Sequence, residues 1–205
     1  MRRLLSISIL FGCFIASGLA SPSPGFDVFE KSILELQAAQ SDGTTSSRRL
    51  VEMYLARIKA YNQAGPALNA IVTLNPRALE AADILDRERA AGHVRGPLHG
   101  IPILVKDNYD TVDMPTSDGT LALATLQPTA DAFQVQRLRK AGAVILGKTT
   151  MHELAAGITT ISSLTGATRN PYDPRRGPGG SSGGTAAAVA ASFAALPALP
   201  PPDWF

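Results

Sequence analysis

Cysteine is almost missing from this chain: Cys13 is the only one in 205 residues, and it lies inside an apolar N-terminal stretch. Removal of that stretch would leave no thiol, which excludes disulfides, cysteine nucleophiles and cysteine-ligated metals from the mature chain. Histidine is scarce as well, and His93, His99 and His152 show no metal-ligand spacing. No Asn-x-Ser/Thr acceptor for N-glycosylation occurs. Basic residues are not clustered with aromatics, and the formal net charge is only +2, which argues against a nucleic-acid surface. What remains is a globular composition, 45% apolar and 18% charged, in a chain long enough for one ordinary domain with a hydrophobic core.

The N-terminus departs from that composition. Arg2 and Arg3 precede a run of mostly apolar residues, 4–16, and the small residues Ser17, Gly18 and Ala20 follow. Basic start, short apolar run and small residues are the layout of a secretory signal peptide, and the run is short for a membrane span. Cleavage after Ala20 would make Ser21 the first mature residue. Residues 1–20 are thus expected to be a signal peptide that directs secretion and leaves no stable membrane span. Residues 21–27, opening Ser21-Pro22-Ser23-Pro24-Gly25, read as a linker.

From residue 28 the pattern alternates between helix-like and strand-like segments. Asp27 is expected to cap a first helix with Phe29, Ile33, Leu34 and Leu36 on its apolar side. A second helix, about 46–64, carries Leu50, Tyr54, Leu55, Ile58 and Tyr61 and stops at Gly65-Pro66. Residues 68–74 read as a strand, after which Asn75-Pro76 is expected to start a helix with Leu79, Ala82, Ile84 and Leu85 that ends at Gly92. Asp86, Arg87, Glu88 and Arg89 on its outer side read as a solvated charge run. A turn at 96–100 feeds the apolar strand 101–105, a loop covers about 107–130, and Asp131 is expected to cap a helix carrying Phe133, Val135, Leu138 and Ala141. The strand 143–146 follows, and an alanine-rich helix runs from Thr185 to about Leu196. This order predicts an α/β fold, a mixed sheet flanked by helices.

Residues 142–149, Gly-Ala-Val-Ile-Leu-Gly-Lys-Thr, match the phosphate-loop pattern letter for letter. A phosphate loop needs its strand before the first glycine and a flexible turn between the glycines. Here the four residues between them are themselves strand-like, so the match is rejected in favour of a helix-ending Gly142, a buried strand and a turn at Gly147.

Two further features carry chemistry. Lys106 closes an apolar strand, where an ammonium is partly stripped of water; taken alone, such a lysine more often snorkels to the surface and faces water. The second feature is Gly179-Gly180-Ser181-Ser182-Gly183-Gly184, which on composition alone could be a flexible linker. Ordered segments on both sides and the helix directly after it argue against that, because a helix N-terminus here would aim amides and hydroxyls at one point. A desolvated lysine near paired serines is the raw material of serine-lysine amide hydrolysis.

Together with RGPLHGIPILVKDN (95–108), AGAVILGKT (141–149), LNAI (68–71), LDRER (85–89) and NPYD (170–173), the segment GPGGSSGGTAAAVAA (177–191) resembles the amidase signature family. The resemblance implies an incomplete amidase-signature domain over 28–196, the N-terminal part of that fold, and amide C–N hydrolysis with no metal or other cofactor. It implies a catalytic set of a lysine, a serine preceded by a cis peptide bond, and a nucleophilic serine. Lys106 matches the lysine and Ser181 the cis serine, while Ser182 matches a supporting hydroxyl among Gly179, Gly180, Gly183 and Gly184. Burial without a carboxylate partner disfavours the charged form of a lysine. Ser181 would relay a proton from nucleophile to lysine and later return it to the leaving nitrogen.

The family's nucleophile lies in a segment spelled much like D-T-G-G-S-I-R, and none occurs here; residues 193–205 contain neither serine nor glycine. Residues 197–205 read as a divergent Pro-rich tail, expected from truncation or a frameshift, and the chain alone is expected to be inactive. The expected partner is a small-molecule amide or peptide amide substrate, with no nucleic acid, and the residues set no oligomeric state. The alternatives are a subunit of a tRNA-dependent amidotransferase and a non-catalytic amide-binding remnant. Expression with the native N-terminus is expected to deliver the chain to the medium with Ser21 first, as read by N-terminal sequencing. Retention inside the cell with residues 1–20 intact would favour the amidotransferase alternative.

Overall fold

The computed structural model describes residues 25–195. The predicted signal peptide, most of the linker and the Pro-rich tail lie outside the described residues. Among these residues five α-helices and five short strands follow one another as α1 (Ile33–Ser41), α2 (Ser47–Tyr61), β1 (Ile71–Leu74), α3 (Ala78–Ala90), β2 (Pro102–Lys106), α4 (Phe133–Lys140), β3 (Val144–Thr149), β4 (Ile161–Ser162), β5 (Gly166–Ala167) and α5 (Gly183–Ala190). The fold is α/β with a mixed sheet, as the alternating pattern predicted. Among the described residues no helix is long and apolar enough to cross a membrane.

The central strand is β3, which pairs antiparallel with β1 and parallel with β2. Its residues are all buried. One apolar cluster joins α2, α3 and α5 to Val144 and Leu146, and the other joins Val135 to Val105, Met114 and Ile145. Alternate residues of β3 thus feed different clusters, as the two-residue period of a strand requires.

Several expected boundaries move. Asp27 does not cap α1; its carboxylate accepts from the Phe29 amide, and the helix begins after Ser32. Ser32 and Glu35 form a reciprocal capping box there, so the Ser-x-x-Glu spacing outweighs the earlier aspartate. Phe29 and Leu34 are exposed, and Leu36 and Ala39 supply the buried side. Asn75 is not the cap of α3 either. It is buried, accepts from the Arg77 amide and donates to the Ile145 carbonyl, so it ties the strand exit to β3 before the helix starts. Asp131 serves the 111–114 loop and Arg139, accepting from the Val112 amide at 2.8 Å. Gly147 is not a turn: it lies within β3, where the pairing with β2 steps from Ile145 opposite Ile103 to Gly147 opposite Leu104. A Cβ there would stand 2.5 Å from the Thr73 carbonyl, so the close strand approach requires glycine. Finally, α5 starts at Gly183 and ends at Ala190, short of Leu196.

The charge run on α3 is also more than a solvated face. Asp86 accepts from the Ser47 amide at 2.7 Å and the Arg48 amide at 3.0 Å, capping α2 across the helix pair. Arg89 donates to the His99 carbonyl at 3.1 Å. Asp86→Ala should therefore cost about 1–2 kcal/mol in urea unfolding, as loss of a helix cap does. Arg87→Ala on the exposed side should stay within about 0.5 kcal/mol.

Candidate active site

The sheet brings Lys106 to the C-terminal end of β2, where its partner in register is Thr149. Its side chain leaves the strand toward the N-terminus of α5 and donates from Nζ to Ser181 Oγ at 2.9 Å. The Gly180–Ser181 peptide bond is cis. Lys106 and Ser181 lie 75 residues apart in sequence, and the fold brings them into hydrogen-bond contact. Among the described residues no carboxylate lies within 4 Å of Lys106 Nζ.

Ser182 is exposed and makes no side-chain cap to α5, although its carbonyl accepts from the Ala186 amide. It faces a cleft of about 340 Å³ whose wall includes Lys106, Thr185, Tyr109, Leu104 and Leu138. That cleft offers a lysine, the hydroxyl of Ser182 just before α5 and that of Thr185 on α5 at the edge of an apolar wall, an arrangement suited to a polar group on an apolar ligand. Among the described residues no three His, Cys, Asp or Glu side chains are grouped as metal ligands.

The four glycines around the serines divide into two tasks. Gly179 has φ +87°, a conformation that side-chain-bearing residues rarely adopt. Gly180, Gly183 and Gly184 are instead places of contact. A Cβ on Gly184 would lie 2.2 Å from the Thr150 carbonyl, and one on Gly183 would lie 2.2 Å from Thr160 Oγ1. The helix N-terminus is therefore pressed directly onto Thr150, which leaves β3, and Thr160, which precedes β4.

Sequence reasoning missed what holds the serine loop. Thr160, fully buried, donates from Oγ1 to the Gly179 carbonyl at 2.5 Å and accepts from the Gly183 amide at 3.0 Å. It clamps both sides of the Ser181-Ser182 pair with one hydroxyl. The His152 amide donates to the Ser181 carbonyl at 3.0 Å, and Thr149 exchanges a 2.7 Å hydroxyl contact with Thr185 on α5. Paired glycines signalled that something approaches closely, but no local pattern marks Thr160 as the partner. Lys148 was visible only as part of the false phosphate loop. It is fully buried, and its Nζ donates to the Pro115 carbonyl at 2.9 Å and to Thr116 Oγ1 at 2.8 Å, facing Asp107 at 3.4 Å.

The family model described as Amidase matches residues 49–197. A glutamyl-tRNA(Gln) amidotransferase subunit of Thermobifida fusca is 44% identical over 156 residues, covering 76% of this chain and 31% of that protein. The solved native peptide amidase of Stenotrophomonas maltophilia is 48% identical with a TM-score of 0.80, over 82% of this chain and 36% of that one. An amidase family protein of Bacillus anthracis superposes with a TM-score of 0.78 at 40% identity, over 83% of this chain and 35% of that one. The chain thus spans about a third of the length of these relatives.

Thr160→Val removes one donor and one acceptor while keeping the shape. It should destabilise the chain by about 1–3 kcal/mol and speed hydrogen exchange of the Gly183 amide at least about tenfold. Thr160→Ser should keep most of the protection. Unchanged Gly183 exchange in the valine variant would show that the clamp does not hold the loop.

Proposed function

The chain belongs to the amidase signature family, and we propose that it carries the proton-transfer part of an amide-hydrolysing site, with Lys106 as base and Ser181 as relay. The observation that carries this reading is the 2.9 Å contact of Lys106 Nζ with Ser181 Oγ beside the N-terminus of α5. In the proposed reaction a nucleophilic hydroxyl adds to the carboxamide carbon. Its proton passes to Ser181, whose own proton passes to the Lys106 amine. The reverse transfer protonates the nitrogen as the C–N bond breaks, releasing amine or ammonia and leaving an acyl ester. Water then hydrolyses the ester by the same proton route, which returns lysine and serine to their starting states. Ser182 supports the site as a second hydroxyl on the cleft, and Gly179, Gly180, Gly183 and Gly184 shape the loop. No metal or other cofactor takes part in this scheme.

Likeness to a peptide amidase at 48% identity supports small-molecule or peptide amides as the substrate class. The nucleophile is not assigned, because no segment of these 205 residues matches the family's D-T-G-G-S pattern. The chain on its own is therefore proposed to be inactive. The signal-like residues 1–20 favour a secreted amidase. A second reading, a subunit of a tRNA-dependent amidotransferase, is favoured by relatives such as the Thermobifida fusca protein.

A chimera tests the assignment. Residues 25–195 joined to the part of the Stenotrophomonas maltophilia peptide amidase that they do not cover should hydrolyse a peptide amide. Lys106→Ala and Ser181→Ala should each lower that rate by about 10²–10⁴-fold, the usual worth of positioned acid–base groups. The 205-residue chain alone should give no turnover above background. A chimera indifferent to both substitutions would overturn the proposed roles, and binding of an amide without turnover would support a non-catalytic remnant.

A further inference from the structure

Three acids follow Lys106 within seven residues, Asp107, Asp110 and Asp113, yet among the described residues none comes within 4 Å of its Nζ. Asp113 is taken by Arg139 at 2.8 Å and by Asn75 at 2.9 Å, and Asp110 is exposed. Asp107 is the critical one, because it is the next residue in the chain and only 1% exposed. A buried carboxylate needs a compensating cation or a full set of donors. Its nearest cation along the chain would be the very lysine proposed as base.

The structure shows where that carboxylate goes instead. Asp107 Oδ1 faces Lys148 Nζ at 3.4 Å, while Oδ2 accepts from Ser117 Oγ and from the Gly119 amide at 3.2 Å. Lys148 is 0% exposed and sits one position before Thr149, the register partner of Lys106. Two lysines thus stand at the same end of adjacent strands with different partners. Lys148 meets a carboxylate, a carbonyl and a hydroxyl, and Lys106 meets a serine.

We propose that Lys148 is a positioning residue that holds the Asp107 carboxylate away from Lys106, so that Lys106 keeps Ser181 as its partner. The role rests on the reading of Lys106 as base. Burial pushes the Lys148 ammonium below the usual lysine range, and Asp107 is the chief group pulling it back up. Without the Lys148 charge, Asp107 would be a buried carboxylate with donors but no cation. Capture of Lys106 would then satisfy it, and an ammonium held by a carboxylate cannot accept a proton from Ser181.

The test reads the amine of Lys106 directly in the full 205-residue chain, without turnover. Trace acylation with acetic anhydride at neutral pH, followed by peptide mass spectrometry, compares Lys106 with the exposed Lys59 and Lys140. Lys148→Gln keeps donors for Pro115 and Thr116 but removes the charge, and it should slow Lys106 acylation about tenfold relative to the parent. Lys148→Met should do the same wherever circular dichroism shows it folded. Adding Asp107→Asn to either should restore the parent rate, and Asp107→Asn alone should leave it unchanged. A role confined to stability predicts a different pattern, lower unfolding midpoints with no charge-specific rescue. Unchanged Lys106 acylation in folded Lys148→Gln, or no recovery in the double variant, would overturn the proposal. A chimera whose amide hydrolysis is indifferent to Lys106→Ala would remove the base role itself, and this proposal with it, whatever the acylation pattern.

Discussion

The parallel pairing of β2 with β3 is the constraint from which the site geometry follows. It sets Lys106 opposite Thr149 and Val105 opposite Lys148, so two lysines and a threonine reach the same end of the sheet. Thr149 then reaches Thr185 on α5 through a 2.7 Å hydroxyl contact, and Thr150 lies against Gly184. The serine loop is positioned by these contacts before any side chain of its own acts. A one-residue slip of the ladder would turn Lys106 to the other face of the sheet and break the contact with Ser181. The step at Gly147 belongs to the same constraint, since a side chain there would collide with the Thr73 carbonyl and part β1 from β3.

Packing explains why the helix after the serines is built from such small residues. Ala187 and Ala188 are essentially buried and face the core shared with Val144 and Leu146. Larger side chains would lift α5 from the sheet, and with it Ser181 from Lys106. Glycine at 183 and 184 extends that logic to the first helical turn, where backbone rather than side chain meets Thr160 and Thr150. The low helix propensity of glycine is offset here by contacts that no other residue permits.

Those same features decide what could be read from residues alone. Lys106 and the Gly-Ser cluster were legible because each breaks a local rule: a cation closes an apolar strand, and four glycines open a helix. The α/β class was legible from periodicity. Helix starts were less so, because aspartates at 27 and 131 carry the chemistry of a cap but are used by nearby loop amides. Asp86 shows the converse, an apparent surface charge that caps another helix 39 residues away. Thr160 was invisible for the same reason. Its two partners lie 19 and 23 residues distant, and nothing in its neighbourhood distinguishes it from other threonines. Local sequence reports the backbone's demands well and the identity of long-range partners poorly.

The two lysines at the sheet end show why burial alone does not assign a chemical role. Lys148 is the more buried of the pair, and desolvation by itself would mark it as the better candidate for a neutral amine. Its surroundings argue otherwise. The Asp107 carboxylate, the Pro115 carbonyl and the Thr116 hydroxyl occupy the lysine's donors and favour the charged form, and the side chain is fully buried. Lys106 is only half-buried, but its partner is a hydroxyl that can both give and receive a proton, and it opens on the cleft shared with Ser182. What would separate a structural cation from the proposed base at this sheet end is therefore the partner. A carboxylate can only hold the proton on the lysine, whereas a serine can pass it on.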